Sequence, residues 1–238
     1  MNLEEALQGI EGWFYPGEAQ MLHDLVAALQ LPQMYLEVGS YRGRSLIAAA
    51  LGAGVPCFGV DPHVMAPGDP FEFGDADRVA LMENLLKTGV AWKVRLLDIQ
   101  SECAAKGWPG HRIGVLLIDG AHSVDAVTLD LESWLPFVDD GAFVLFHDAN
   151  TDCVIGAVQG RTDLEFVRQV DLTAQYIYHK PEPQPEGIDL LASHRWEGHS
   201  LVPVAGTTTA DLVETPVPEA PKPTVKKPAL KPKPRSKK

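Results

Sequence analysis

The sequence predicts an α/β fold, a doubly wound and mostly parallel seven-stranded sheet, and three observations lead there. Between Met34 and Phe146, apolar runs of four or five residues alternate with longer segments of helical period, as stacked βαβ units require. Each run is nearly continuous in apolar character, which suits a strand covered on both faces by helices. Acidic residues stand in or just after the first four runs, and His147-Asp148 follows the fifth, so polar side chains collect where strands end.

Taken in order, Pro16-Gly17 opens an amphipathic helix over Glu18 to Leu29, with Met21, Leu22, Leu25, Val26 and Leu29 on its apolar side. The five buried strands are Met34 to Val38, Cys57 to Val60, Val94 to Leu97, Val115 to Ile118 and Ala142 to Phe146. A helix from about Ser45 to Leu51 follows the first strand. Val124, Val127, Leu131 and Trp134 or Leu135, three and four apart, mark another, whose polar face is Asp125, Asp130 and Glu132. Gly107-Trp-Pro-Gly110 and Val138-Asp-Asp-Gly141 read as turns before strands four and five. A helix near Thr151 to Gln159 and two strands, Leu164 to Val170 and Ala174 to His179, complete the sheet with an antiparallel hairpin. The loop from His63 to Asp75, rich in Pro and Gly, is expected to be a mobile cover at the active edge.

This divides the chain into an N-terminal helical segment packing on the core (1–33), the core itself (34–180), an extension without clean periodicity (181–214) and a Lys/Pro-rich tail (215–238). The tail holds eight of the 20 basic residues and one of the 32 acidic ones, a charge of +7 that leaves the body at −19. Seven of the 19 prolines fall there too, so the tail cannot bury apolar area and is expected to stay disordered, as a solubilising or linker segment. A body this acidic repels phosphate backbones, which argues against nucleic-acid binding by the folded part. Three scattered cysteines form no Cys-x-x-Cys pair, the N-terminus lacks a secretory pattern, and no 18 apolar residues run together. A cytoplasmic location without a membrane span is expected; oligomeric state leaves no signal.

The chemistry gathers after the first strand. Tyr35-Leu-Glu-Val-Gly-Ser-Tyr-Arg-Gly-Arg-Ser45 puts Gly39 and Gly43 in a strand-to-helix turn, where a missing Cβ lets the backbone approach a ligand. Asp61, 22 residues after Gly39, stands where a carboxylate accepts hydrogen bonds from ribose hydroxyls. Both features point to an adenosine, against the simpler reading of a tight βα turn. The Gly-x-Gly-x-x-Gly of dinucleotide folds is absent. Glu37 would repel a pyrophosphate and attract a sulfonium and an amino group.

At this point the sequence resembles the class I S-adenosyl-L-methionine (SAM)-dependent methyltransferases, more narrowly the small family grouped with macrolide and sugar O-methyltransferases. The resemblance spans Ile10 to Val158. Its carriers are Glu11-Gly-Trp-Phe-Tyr-Pro16, Glu37 to Ser45, Gly59-Val-Asp-Pro62, Leu97-Asp98, Leu117-Ile-Asp-Gly-Ala-His-Ser123 and Phe146-His-Asp-Ala149. The resemblance implies that Glu37, Gly39, Ser40 and Gly43 hold the methionine part of SAM, Asp61 the ribose, and Asp98 with the Ile99 backbone the adenine edge. Many relatives read Gly-Asp-Ser where this chain reads Leu97-Asp98-Ile99, and Asp98 also suits a helix N-cap.

Asp119, His122, His147 and Asp148 all follow strand ends and should converge where the methyl group is presented. Transfer to oxygen needs an in-line acceptor and loss of its proton, and His122 and His147 are both candidates for the base, with loop hydrogen bonding or packing as the alternative role of each. Asp119, His147 and Asp148 also make a candidate Mg2+ set that would lower the acceptor's pKa. The aromatic run Trp13, Phe14 and Tyr15 either walls a substrate pocket or belongs to the core. The expected acceptor is a hydroxyl of a sugar or other small metabolite, with nitrogen not excluded. Rival readings are an NAD-linked Rossmann oxidoreductase, or a non-catalytic SAM-binding scaffold whose tail docks to an acidic partner. No Gly-x-Ser-x-Gly elbow or P-loop occurs.

Overall fold

In the computed structural model, which describes residues 2–64, 73–181, 194–197 and 200–203, the apolar runs pair as a seven-stranded sheet. Helices α1 (Leu3–Leu7) and α2 (Pro16–Ala27) precede β1 (Gln33–Val38). There follow α3 (Arg44–Gly52), β2 (Cys57–Val60), α4 (Asp75–Lys87), β3 (Val94–Leu97), α5 (Ser101–Lys106), β4 (Arg112–Ile118) and α6 (Val124–Trp134). The unit closes with β5 (Val138–Phe146), α7 (Asp152–Val158), β6 (Leu164–Val170) and β7 (Thr173–Tyr178). The strand order is β3-β2-β1-β4-β5-β7-β6, parallel from β3 to β5, with β7 antiparallel to both neighbours. This is the predicted doubly wound sheet. Chain direction across the sheet reverses between β1 and β4, which opens a crevice beyond their carboxyl ends.

Alternation along the strands builds two cores. Tyr35, Cys57, Val115, Leu117 and Leu145 face α2, α3 and α4, whereas Leu36, Val38, Val60, Leu116, Ile118, Val144 and Phe146 face α5, α6 and α7. Both faces are apolar, which is why these strands read as continuous runs.

Several boundaries differ from the sequence reading. β4 and β5 begin at Arg112 and Val138, because Val138-Asp-Asp-Gly141 forms a bulge within the strand instead of a turn before it: Ile113 pairs with Val138, then Val115 with Phe143. Asp139 is held there by Arg112 Nε at 2.6 Å and Gln33 Nε2 at 3.0 Å. α2 starts at Pro16, a proline at the first helical position, where Glu18 Oε2 accepts from the Tyr15 amide at 2.7 Å. Asp130 was expected on the solvent face of its helix and is instead 8% exposed.

Arg44 is one of the side chains that fasten the N-terminal segment, beside Arg42, which pairs with Glu11. Arg44 donates to the carbonyls of Leu7, Ile10 and Phe14 at 2.9, 2.8 and 2.7 Å, so the first residue of α3 pins the segment ahead of α2. The chain divides at Glu182/Pro183 into two units. In the second, β8 (His194–Glu197) and β9 (Ser200–Pro203) pair antiparallel, in a stretch whose sequence showed no period. The tail (215–238) and loop residues 65–72 of the expected cover lie outside the described residues. Among the described residues, no helix is long and apolar enough to cross a membrane.

Candidate active site

A cavity of about 560 Å3 sits over the carboxyl ends of β2, β1, β4 and β5. At its floor the turns after β1 and β4 meet so closely that only glycine fits. Gly39 has φ +88°, and a Cβ there would lie 2.0 Å from the Asp119 carbonyl oxygen. Gly43, φ +85°, opens α3 and makes room for Leu81 of α4; neither it nor Ser40 lines the cavity.

Asp61 does line it. Its Oδ2 accepts from the Tyr41 amide and its Oδ1 from the His63 amide, both at 2.8 Å, so two backbone donors aim the carboxylate. Tyr41 and His63 have φ of +43° and +47°, unusual for residues with side chains. The His63 ring is braced between the carbonyl oxygens of Asp61 (3.1 Å) and Tyr41 (3.0 Å). Asp98 is drawn away by Arg78, whose Nη2 lies 2.8 Å off, and neither it nor Ile99 lines the cavity. That wall comes from Gln100, Ser101 and Glu102 of the next turn and from Asp130 of α6.

Glu37 lies beneath the turn, fully buried and outside the lining. The Tyr35 hydroxyl donates to its Oε2 at 2.6 Å. Burial pushes its carboxyl up to about 8, against the pull of the Tyr35, Ser40 and Ser45 hydroxyls. Even so, Oε1 and the Ser40 hydroxyl make no well-formed hydrogen bond.

The polar cluster does converge. Asp119, His122, His147 and Asp148 all line the cavity. Asp148 Oδ2 is 2.9 Å from His122 Nε2, and the hydrogen bond from His122, helped by His147, holds the Asp148 carboxyl well below the usual range. An ionised carboxylate only accepts, so His122 Nε2 carries the proton of that bond. His147 is 4% exposed, with Nδ1 3.1 Å from Asp119 and 3.4 Å from Asp148, and Nε2 3.7 Å from Glu18. Burial alone would lower its pKa, but the carboxylates of Asp119 and Asp148 outweigh that and lift it to about 10. Asp119 is raised by burial, against the opposing pull of His147.

Glu18 had no functional signal in the sequence, where it read as a polar position in the first turn of a helix. It is fully buried, and its Oε1 accepts from the Leu172 amide (3.0 Å) and the Thr173 hydroxyl (2.8 Å). Ligand atoms of Asp119, His122 and Asp148 lie within 4.8 Å of one another. That grouping has His122 where the sequence reading had His147, whose Nδ1 nonetheless faces both carboxylates. At the mouth, the Tyr41 ring stands 5.4 Å from Trp13 and 5.4 Å from Phe73, all three lining the cavity, while Phe14 is buried beside His147.

Residues 36–149, from β1 to just past Asp148, match the family model described as a methyltransferase domain. That segment is a methyltransferase domain. Solved structures share its fold. The O-methyltransferase TomG from Streptomyces achromogenes, involved in tomaymycin synthesis and solved with SAM, is 18% identical with a TM-score of 0.55, covering 74% of this chain and 89% of that one. An O-methyltransferase from Bacillus cereus in complex with S-adenosylhomocysteine (SAH) is 15% identical, TM-score 0.54, covering 74% and 90%. CalS11, a TDP-rhamnose 3′-O-methyltransferase of calicheamicin biosynthesis, is 16% identical, TM-score 0.51, covering 74% and 90%. No curated protein matches the chain. The methyltransferase domain therefore contains every residue singled out from the sequence as a candidate for donor binding or chemistry, while Glu18 and Trp13 come from the segment before it.

Proposed function

We propose that this protein transfers the methyl group of SAM to a hydroxyl of a sugar or other small metabolite. The observation that carries the reading is the meeting, in one cavity, of the Gly39 turn, the Asp61 carboxylate and the His122–Asp148 pair. The missing Cβ of Gly39 and an Asp61 already aimed by two amides fit a ribose and its amino-acid appendage. SAM supplies an electrophilic methyl on a sulfonium; the chain has to orient the acceptor and remove its proton. Asp148 orients the His122 ring through Nε2, and His122 is the group that takes the acceptor's proton. His147, enclosed between Glu18 and Asp119, positions the carboxylates instead of contacting the acceptor.

The aromatic mouth of Trp13, Tyr41 and Phe73 supports an acceptor with a flat or partly apolar face, such as a sugar ring. TomG and CalS11 act in the synthesis of small metabolites, in keeping with that class. The 4.8 Å grouping of Asp119, His122 and Asp148 favours a second reading, in which a divalent ion orients the acceptor. One nitrogen and two carboxylates suit Mn2+ or Fe2+ better than Mg2+, which takes oxygen ligands.

Calorimetry with SAH against NAD tests the donor, and SAM turnover on nucleotide-sugar and phenolic acceptors tests the reaction. His122→Ala should lower kcat about 100-fold or more and leave SAH affinity within about twofold. Unchanged kcat removes His122 as the base. Loss of turnover on chelation, restored by Mn2+ alone, establishes the metal reading.

A further inference from the structure

With the ribose at Asp61 and the reacting methyl beside Asp119 and His122, one end of the cavity is left for the purine. Its walls are Gln100, Ser101 and Glu102 after β3, and Ala126, Leu129 and Asp130 on α6. The inference rests on the donor reading above and concerns which group on this wall recognises the base.

We propose that Asp130 reads the exocyclic amino group of the donor's adenine, held as an acceptor by a relay that starts at Trp134. The relay is one-directional. The indole Nε1 of Trp134 can only donate, and it lies 2.9 Å from Ser101 Oγ, with both residues buried. Ser101 therefore accepts from Trp134, which leaves its own proton to turn toward the Asp130 carboxyl, and that hydroxyl works against the upward push of burial on the carboxyl. Asp130 is 8% exposed, and what remains open faces the cavity. Gly120 leaves the space this needs, since a Cβ there would lie 3.1 Å from Asp130 Oδ2.

A carboxylate so placed offers acceptor sites only, and one is taken by Ser101. Its complement is an N–H donor, flat against the Ala126 and Leu129 side chains. Adenine presents that donor at its 6-amino group. Hypoxanthine presents a carbonyl oxygen at the same position and would be repelled, leaving a buried acceptor unpaired. Asp98, which the resemblance assigns to the adenine edge, is engaged by Arg78 and stands outside the lining.

The experiment is calorimetry of the full chain with SAH and with S-inosylhomocysteine, its 6-oxo counterpart. The wild type should prefer SAH by about 100-fold or more. Asp130→Asn places an amide donor at the wall and should narrow that preference at least about tenfold, chiefly by weakening SAH. Ser101→Ala, which breaks the relay without changing charge, should narrow it to a lesser degree and covers the case in which Asp130→Asn does not fold, as judged by circular dichroism. Equal binding of both compounds by the wild type overturns the proposal. So does full discrimination in folded Asp130→Asn, or a preference lost on Glu102→Gln instead. Failure of the wild type to bind either compound sinks the donor reading itself, a result distinct from the others.

Discussion

Replacing Glu37 by Gln should stabilise the protein above neutral pH, by an amount that grows with pH. The fully buried carboxyl titrates at about 8, because burial penalises its charged form. In the unfolded chain it titrates at the ordinary glutamate value of 4.5. Its folded value is thus raised: the unfolded chain gives up the proton first, the contribution is intact below 4.5, and it is lost as pH climbs to about 8. A gap of that size is worth on the order of 5 kcal/mol, a large share of the 5–15 kcal/mol by which domains are stable. Gln keeps the acceptor for the Tyr35 hydroxyl and offers an N–H toward the Ser40 hydroxyl, which now makes no well-formed bond.

Urea denaturation of both proteins at half-unit steps from pH 4.5 to 8.5 checks this. Near pH 4.5 the two should be close. The difference should open toward pH 8 and then flatten. Parallel curves would refute the reasoning, since they would mean that Glu37 is charged in the folded protein throughout. SAH titration of the same variant separates stability from function. A stabler protein that binds SAH more weakly shows that the buried carboxyl is kept to support the Gly39 turn above it.

Two further substitutions probe the floor of the site and a buried support beside it. Gly39→Ala combines φ +88° with a Cβ 2.0 Å from the Asp119 carbonyl, so it should lower the thermal midpoint by several degrees, equivalent to about 2 kcal/mol or more, and abolish SAH binding. A variant that melts and binds like the wild type would show that the two turns are free to part. Glu18→Ala strips the acceptor from the Tyr15 amide, the Leu172 amide and the Thr173 hydroxyl, and should cost about 2–4 kcal/mol, measured by chemical denaturation.

What the sequence made legible follows from where a residue's signal comes from. The strands from Met34 to Phe146 were readable because both faces of each are buried, and Gly39, Asp61, Asp119, His122, His147 and Asp148 because strand ends converge in any doubly wound sheet. Asp130 was not. Its place on α6 looks solvent-facing by period, and it is the approach of other elements, the β4 turn at Gly120 among them, that covers it. The bulge at Asp139 was missed for a related reason: Asp-Asp-Gly is turn chemistry locally, and its continuation as strand depends on Gln33 and Arg112 from other strands. Glu18 is the extreme case, since its Leu172 and Thr173 partners lie more than 150 residues away.

That long-range contact bears on how the acceptor side is assembled. The sheet alone supplies Asp119, His147 and Asp148 at its edge, but the segment before β1 helps to enclose His147, with Glu18 of α2 3.7 Å from its Nε2 and Phe14 buried beside its ring. The same segment carries Trp13 to the mouth of the cavity, and Arg44, at the start of α3, ties down the carbonyls on either side of it. The guanidinium therefore links the helix after the donor-binding turn to the wall that faces the acceptor. In Arg44→Ala, three carbonyls lose their donor together, so the acceptor wall should loosen while the Gly39 turn stays intact. On the proposed function, the donor rests on strand ends of the methyltransferase domain, whereas the acceptor meets His122 from that domain and Trp13 from the pinned segment before it.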